Sequence, residues 1–273
     1  MKLDGARVLV TGASSGIGWA VAQALAHAGC SLLLTGTDTN RLSRIAALTG
    51  GEAVAADLAE AGGVERLVSA AISTGNPDVV VHCAGMGKVG TVLGQTRRDG
   101  GGQVPGDGNR CAAVRQDDGG QEEYNRLFRL NLVAPMRLSQ ALLPAMLRKG
   151  AGQLVFVTSI AGVLGVAGES AYAASKAALG TYASSLRVEL AGSGIGVTTV
   201  IPGVVDTDFF NRRGVAYQRR FPRPVPPSRV AAAVKFALEN NRAQVVVPGW
   251  LRLPIVVQAC APQTYARFAG RWG

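Results

Sequence analysis

The chain has 273 residues, 48% apolar and 17% charged, enough for one large α/β domain or two small ones, and this excludes global disorder. Its net charge of +10 favours an anionic partner, but there is no basic helix with interleaved aromatics and no nucleic-acid motif, so nucleic-acid binding is not expected. Cys30, Cys83, Cys111 and Cys260 form no C-x-x-C pair, and with only His27 and His82 beside them no metal pattern appears; they read as reduced thiols of a cytoplasmic protein. No apolar leader precedes residue 6, so no secretory signal is expected, and the late apolar run 253–261 is too short to span a bilayer.

Residues 6–11 read as a strand apolar enough to be buried on both faces. Gly12-Ala13-Ser14-Ser15-Gly16-Ile17-Gly18 follows, then a helical run over 19–28 that stops at Gly29. Strand, glycine-rich turn and helix in this order make a phosphate cradle: the glycines let the backbone approach a pyrophosphate, and the helix N-terminus offers N–H groups. Residues 31–34 form a second strand, ending in Thr35-Gly36-Thr37-Asp38-Thr39-Asn40-Arg41. An acid at the strand tip would hold a ribose 2′-hydroxyl, and none stands there. Hydroxyls and a nearby Arg suit a 2′-phosphate better, which leans the cofactor to NADP(H) with NAD(H) still open. The plainer alternative for Asp38 is a cap on the helix beginning near Thr39.

Residues 52–56, followed by Asp57, and 78–82, running into Cys83-Ala84-Gly85, are two more strands, with a helix over 63–74 between them. This alternation predicts an α/β fold: one doubly wound parallel sheet flanked by helices, a single domain over 1–273. Ligands of such sheets sit beyond the carboxyl ends of the strands, where Gly12, Asp57, Gly85 and Ser159 all fall. His82 reads as a core histidine. Residues 88–121 break the rhythm with a Gly-, Asp- and Arg-rich insertion that has little to bury, a lid being the alternative. A long helical run over 122–147 contains Asn131, with Pro135 and Pro144 as kink points. A break at Asn131 would free a carbonyl for a water; the other reading is a surface Asn.

Val155-Phe156-Val157 is a buried strand leading to Ser159, and a helix over 171–190 carries Tyr172 and Lys176 one turn apart on one face. A phenol needs help to act near neutral pH; lowering its pKa by roughly three units takes about 4 kcal/mol, which a close ammonium in a dry cleft supplies. Ser, Tyr and Lys together suit proton transfer to or from an alcohol oxygen, although such a pair also arises by chance on many helices. Beyond it lie a strand over 196–201 ending in Pro202-Gly203, a crossing segment 204–207 and a basic, Pro-rich flap at about 207–227 with Arg212, Arg213, Arg219, Arg220 and Arg223. A helix over 228–240 with Ser228 as N-cap and a last strand over 244–247 follow. The tail 250–273 is expected to pack on the body; closing an apolar pocket, meeting a second subunit and touching a membrane are the alternatives.

Thr11-Gly12-Ala13-Ser14-Ser15-Gly16-Ile17-Gly18, Asp57, Ala84-Gly85, Asn131, Ser159, Tyr172, Lys176 and Pro202-Gly203 with Thr207 resemble the short-chain dehydrogenase/reductase family over nearly the whole chain. Tyr172 lies thirteen residues after Ser159 and four before Lys176, as that family's pattern requires. The resemblance implies a Rossmann-type sheet of about seven parallel strands. It implies Tyr172 as general acid/base and Ser159 as the holder of the substrate oxygen. Lys176 would lower the Tyr172 pKa and bind the nicotinamide ribose, and Asn131 would hold a proton-relay water. It implies cofactor contacts from Gly12, Ser14, Ser15, Gly16, Ile17, Gly18 and Thr37, from Asp57 at the adenine, from Leu58, Ala84, Gly85, Tyr172, Lys176, Pro202 and Gly203, and from Thr207 at the nicotinamide carboxamide. A homo-oligomer built on the long helices around Asn131 and Tyr172 is implied too.

Two features depart from that pattern. Cys83 stands where the family usually has an Asn that braces the sheet, and the loop after Gly87 is longer than usual by roughly twenty residues. Neither an Arg at Thr37 nor an Asp at Gly36 marks the cofactor. The function expected is an NADP(H)-preferring oxidoreductase that interconverts the carbonyl and secondary-alcohol forms of a small apolar substrate. The alternatives are a ketoreductase for acyl chains on an acidic carrier protein, docked by the flap, and a nucleotide-binding protein with little turnover. Peripheral membrane contact is a further possibility for the basic charge.

Overall fold

The computed structural model describes residues 1–89, 118–215, 217 and 221–272. In chain order the elements are β1 (Arg7–Thr11), α1 (Gly16–Ala26), β2 (Ser31–Gly36), α2 (Thr39–Thr49), β3 (Glu52–Ala55), α3 (Gly63–Ser73) and β4 (Val79–His82). Then come α4 (Asp118–Phe128), α5 (Ala134–Lys149), β5 (Gly152–Val157), α6 (Ala161–Leu164), α7 (Ser170–Glu189) and β6 (Ile195–Pro202). The last are α8 (Phe209–Arg212), α9 (Pro227–Glu239), β7 (Gln244–Val247), α10 (Arg252–Cys260) and α11 (Pro262–Trp272).

The seven strands form one parallel sheet in the order β3-β2-β1-β4-β5-β6-β7. This is the α/β, doubly wound architecture expected from the sequence. Alternation along the strands splits the core into two layers. Val8 and Val10 of β1 face α1 and α9, meeting Val21, Leu25, Val230 and Val234, whereas Leu9 between them faces the other side. There Leu67 of α3, Leu138 and Leu142 of α5, and Leu179 and Ala183 of α7 pack on Val80, Leu154 and Phe156. Because both faces are covered, the central strands are apolar throughout. The strand order reverses between β1 and β4, so the loops after these two strands diverge and leave a crevice at their carboxyl ends.

Several details differ from the sequence reading. The helix after the insertion begins at Asp118, so residues 118–121 belong to it; of the rest of the expected insertion, 88–89 are described and 90–117 lie outside the described residues. Residues Arg129–Val133 form a π-helical turn centred on Asn131. The break expected there is present, but Asn131 is fully buried, which removes the surface reading. Ser228 does not cap α9: the helix starts at Pro227 with Pro226 at the cap position. A first-turn proline has no N–H to satisfy and a φ already set for a helix. Asp38 is the N-cap of α2, its Oδ1 accepting from the Arg41 N–H at 2.9 Å, as the plainer alternative held. Cys30, Cys83 and Cys260 are unpaired. Among the described residues no helix is long and apolar enough to cross a membrane.

Candidate active site

A cleft of about 1350 Å³ opens along the carboxyl ends of the strands. Its floor at β1 is the glycine turn. Gly12 has φ +69°, and a Cβ there would lie 2.8 Å from the Ala84 Cα; Gly16 has φ +55°, and a Cβ there would lie 3.2 Å from Thr207 Cγ2. Side chains there would press on the loop after β4 and on Thr207, so the turn stays bare beside the N-terminus of α1, the position that suits a pyrophosphate. Ser14, Ser15, Ile17, Gly18, Thr37, Asp57, Leu58, Ala84, Gly85, Pro202 and Gly203 line the same cleft. These residues fit a dinucleotide. Thr11 braces the loop at Cys83: its Oγ1 accepts from the N–H groups of Cys83 and Ala84, both at 3.0 Å. Asp57 accepts from the Ala59 N–H at 2.9 Å and from Arg126 at 2.5 Å, so its carboxylate is oriented from two sides.

Farther along the cleft, Ser159 follows β5, and Tyr172 and Lys176 project from the first turns of α7; all three are buried and line the wall. Burial pushes the Tyr172 phenol up to about 12; its hydrogen bond with Ser159 pulls it down, Glu169 raises it and Arg213 lowers it. Lys176, the cation expected to lower this pKa, is not among the groups that act on the phenol here. The Lys176 ammonium donates to the Val157 carbonyl at 3.1 Å, and burial holds its pKa down to about 8. Gly85 keeps a gap open here, since a Cβ would lie 3.2 Å from both Lys176 Nζ and Asn131 Oδ1.

Asn131 does not line the cleft; it stands behind the wall. Its Oδ1 accepts from the Met86 N–H and its Nδ2 donates to the Met86 carbonyl, both at 2.9 Å, and Nδ2 also donates to Ser175 Oγ at 3.0 Å. It therefore clamps the strand-end loop after β4 onto α7, one residue from Lys176. His82 is also set back, stacked on Phe156 with ring centroids 4.7 Å apart and 3.1 Å from Ser139 Oγ, and burial drives its pKa down to about 3. It belongs to the core.

The substrate end carries residues that sequence reasoning placed only in a general basic flap. Arg213 pairs with Glu169 in a largely buried ion pair beside Tyr172 and lies over the Phe210 ring. Phe209 stands 5.5 Å from the Tyr172 ring, and Arg212 donates to Ser15 Oγ at 2.9 Å, tying the flap to the glycine turn. No local spacing announces these contacts, because Ser15 and Arg212 are 197 residues apart. Arg41, the cation expected near a 2′-phosphate, is instead drawn to Asp38 and Asp208, each at 3.4 Å. The tail closes the cleft mouth through Trp250, Leu251, Pro254 and Tyr265, the pocket-closing alternative.

A glycine turn at the switch point and a buried Ser–Tyr–Lys set on the same cleft define a nucleotide-binding α/β protein equipped for proton transfer. The family model described as short chain dehydrogenase matches residues 108–217, and that described as enoyl-(acyl carrier protein) reductase matches residues 12–100. The ketoacyl reductase HetN of a Nostoc species is 31% identical over 256 residues, covering 90% of this chain and 79% of its own length. The 3-oxoacyl-(acyl-carrier-protein) reductase FabG of Salmonella typhimurium is 29% identical over 254 residues, covering 90% and 94%. A short-chain dehydrogenase from Sphingobium yanoikuyae, solved in complex with NADPH, superimposes with a TM-score of 0.77 at 26% identity, covering 96% of this chain and 95% of its own. The chain belongs to the short-chain dehydrogenase/reductase family.

Proposed function

We propose that the protein is an NADP(H)-preferring oxidoreductase that interconverts a carbonyl and a secondary alcohol, with Tyr172 as the proton donor and acceptor. The carrying observation is that Ser159, Tyr172 and Lys176 are buried together on the wall of the cleft whose other end is the glycine turn. The nicotinamide, when bound, supplies or takes a hydride at the carbonyl carbon. The chain's own groups handle the oxygen. With its pKa raised to about 12, the Tyr172 phenol stays protonated at neutral pH and gives up its proton as negative charge builds on the substrate oxygen. Ser159, hydrogen-bonded to the phenol, holds that oxygen in reach. Lys176, with its pKa near 8, is the next group on the same helix face able to carry a proton or to hold a ribose hydroxyl. Asn131 positions α7 through Ser175 and the loop through Met86.

Thr37 at the cleft, the Arg212–Ser15 contact and the lack of an acid at Gly36 support NADP(H), as does a relative solved with NADPH. Walls of Phe209, Phe210, Val215, Leu251 and Pro254 support an apolar substrate. The unpaired thiols suit a cytoplasmic setting, and exposed Val133, Met136 and Leu147 beside and along α5 suit a homo-oligomer. The test is Tyr172→Phe against a panel of ketones, including 3-oxoacyl chains free and on a carrier protein, with NADPH and NADH in parallel. NADPH binding should persist while turnover falls by about a thousandfold or more. Turnover equal to that of the parent would remove Tyr172 from the reaction.

A further inference from the structure

Charge is divided unevenly along this chain. Residues 209–273 hold eleven Lys and Arg and a single acid, Glu239, so the whole net charge of +10 belongs to this segment and residues 1–208 are neutral. Parts of this segment line the cleft, among them Phe209, Phe221, Trp250, Leu251 and Tyr265. Beside it, four large apolar side chains of the segment stand in solvent: Phe221 is 66% exposed, Trp250 47%, Leu253 71% and Val256 56%. They are contiguous. Phe221 stacks on Trp250 with centroids 5.3 Å apart, and Trp250, Leu253 and Val256 follow at three-residue spacing along one helical face. α10 has no buried residue although most of its side chains are apolar. Exposed Arg223, Arg252 and Arg267 flank the stripe in sequence, and none has a carboxylate partner among the described residues.

We propose that this face docks on an anionic lipid bilayer, with Trp250, Leu253 and Val256 entering the headgroup boundary and the arginines meeting lipid phosphates. An exposed apolar stripe with exposed cations close to it in the chain is the pattern that partitions into such a surface. A second copy is disfavoured because the exposed Arg223, Arg252 and Arg267, without carboxylate partners among the described residues, would meet their own like. An acidic protein would satisfy the arginines but leaves the exposed apolar stripe unexplained. Trp250 and Phe221 also line the cleft, so a lipophilic carbonyl substrate would pass from the bilayer to Tyr172 without crossing water. That last consequence rests on the proposed reaction; the docking does not.

The test is co-sedimentation of the full chain with vesicles of equimolar phosphatidylcholine and phosphatidylglycerol, and with phosphatidylcholine alone. Binding is expected to the mixed vesicles only, with loss at high salt. Leu253→Gln with Val256→Gln should weaken it by about tenfold. Arg252→Gln with Arg267→Gln should weaken it by about fivefold per arginine. All four positions are exposed, and equal thermal melts of the variants would show that the fold is kept. Three results would overturn the proposal: no binding to the mixed vesicles; binding unchanged in both double variants; or a stripe-dependent dimer, or complex with an acidic carrier protein, in a chain that ignores vesicles.

Discussion

Glu169 and Arg213 form a largely buried ion pair at the substrate end of the cleft, and both act on the Tyr172 phenol, with opposite signs. Glu169 raises the pKa and Arg213 lowers it. Glu169→Gln removes the anion and frees the cation, and both changes favour the phenolate. The basic limb of the pH profile of kcat/KM should therefore move to lower pH. Arg213→Gln should move it the other way and cost about 3 kcal/mol of stability, because a buried carboxylate is left unpaired. A limb that stays in place in both variants, measured with the same ketone and NADPH, would take Tyr172 out of that titration.

Asn131 is used on three hydrogen bonds, all buried or partly so. Asn131→Ala leaves the N–H and carbonyl of Met86 without partners, and a loss of about 3 kcal/mol in urea unfolding is expected. Asn131→Asp should cost more, since the carboxylate cannot donate to Met86 or Ser175 and carries an unpaired charge into the wall. If Asn131→Ala unfolds like the parent while turnover falls, the residue does not act as a clamp.

The buried His82 should set the stability of the protein below neutral pH. Its folded pKa is about 3, against an ordinary 6.5, so between these values the unfolded chain binds the extra proton and stability falls as pH falls. From pH 7 to pH 5 the loss from this group is about 2 kcal/mol. The chain's only other histidine, His27, is exposed. In His82→Phe the dependence of unfolding free energy on pH over this range should flatten, whatever the absolute stability of the variant. An unchanged slope would assign the dependence to other groups.

What was legible in the sequence is what local spacing controls. Apolar runs of four to six residues mark the strands of a sheet covered on both faces, and a Tyr and a Lys four apart share a helix face whatever else the chain does. The glycine turn is equally local. What was not legible needs the chain to close on itself. Met86 and Asn131 are 45 residues apart, and Arg213 and Glu169 are 44 apart, so their pairing is decided by packing and not by periodicity. The surroundings of the Tyr172 phenol are hidden from the sequence for a related reason. Sequence places Lys176 one turn from Tyr172, but the groups that act on the phenol are Ser159, Glu169 and Arg213, and the largest influence is burial, which depends on Leu127, Ala161 and Phe209 from distant elements. Ser228 misled because cap preference is weaker than the pre-set φ of Pro227.

Two glycines with nearly the same backbone separate conformational strain from close approach. Gly12 at the cradle has φ +69°, and Gly50 after α2 has φ +66°. A Cβ at Gly50 would meet nothing within 4 Å, so Gly50→Ala should cost only the left-handed backbone penalty of about 1 kcal/mol. A Cβ at Gly12 would lie 2.8 Å from the Ala84 Cα and 2.9 Å from its nitrogen, backbone atoms that cannot swing aside. Gly12→Ala pays the same penalty and must also push the loop after β4 away from the turn, for a total of about 3 kcal/mol. NADPH affinity, read by fluorescence titration, should fall with Gly12→Ala and stay level with Gly50→Ala. Equal stability losses in the two variants would mean that the Gly12–Ala84 contact yields freely, and unchanged NADPH affinity in Gly12→Ala would place the dinucleotide elsewhere.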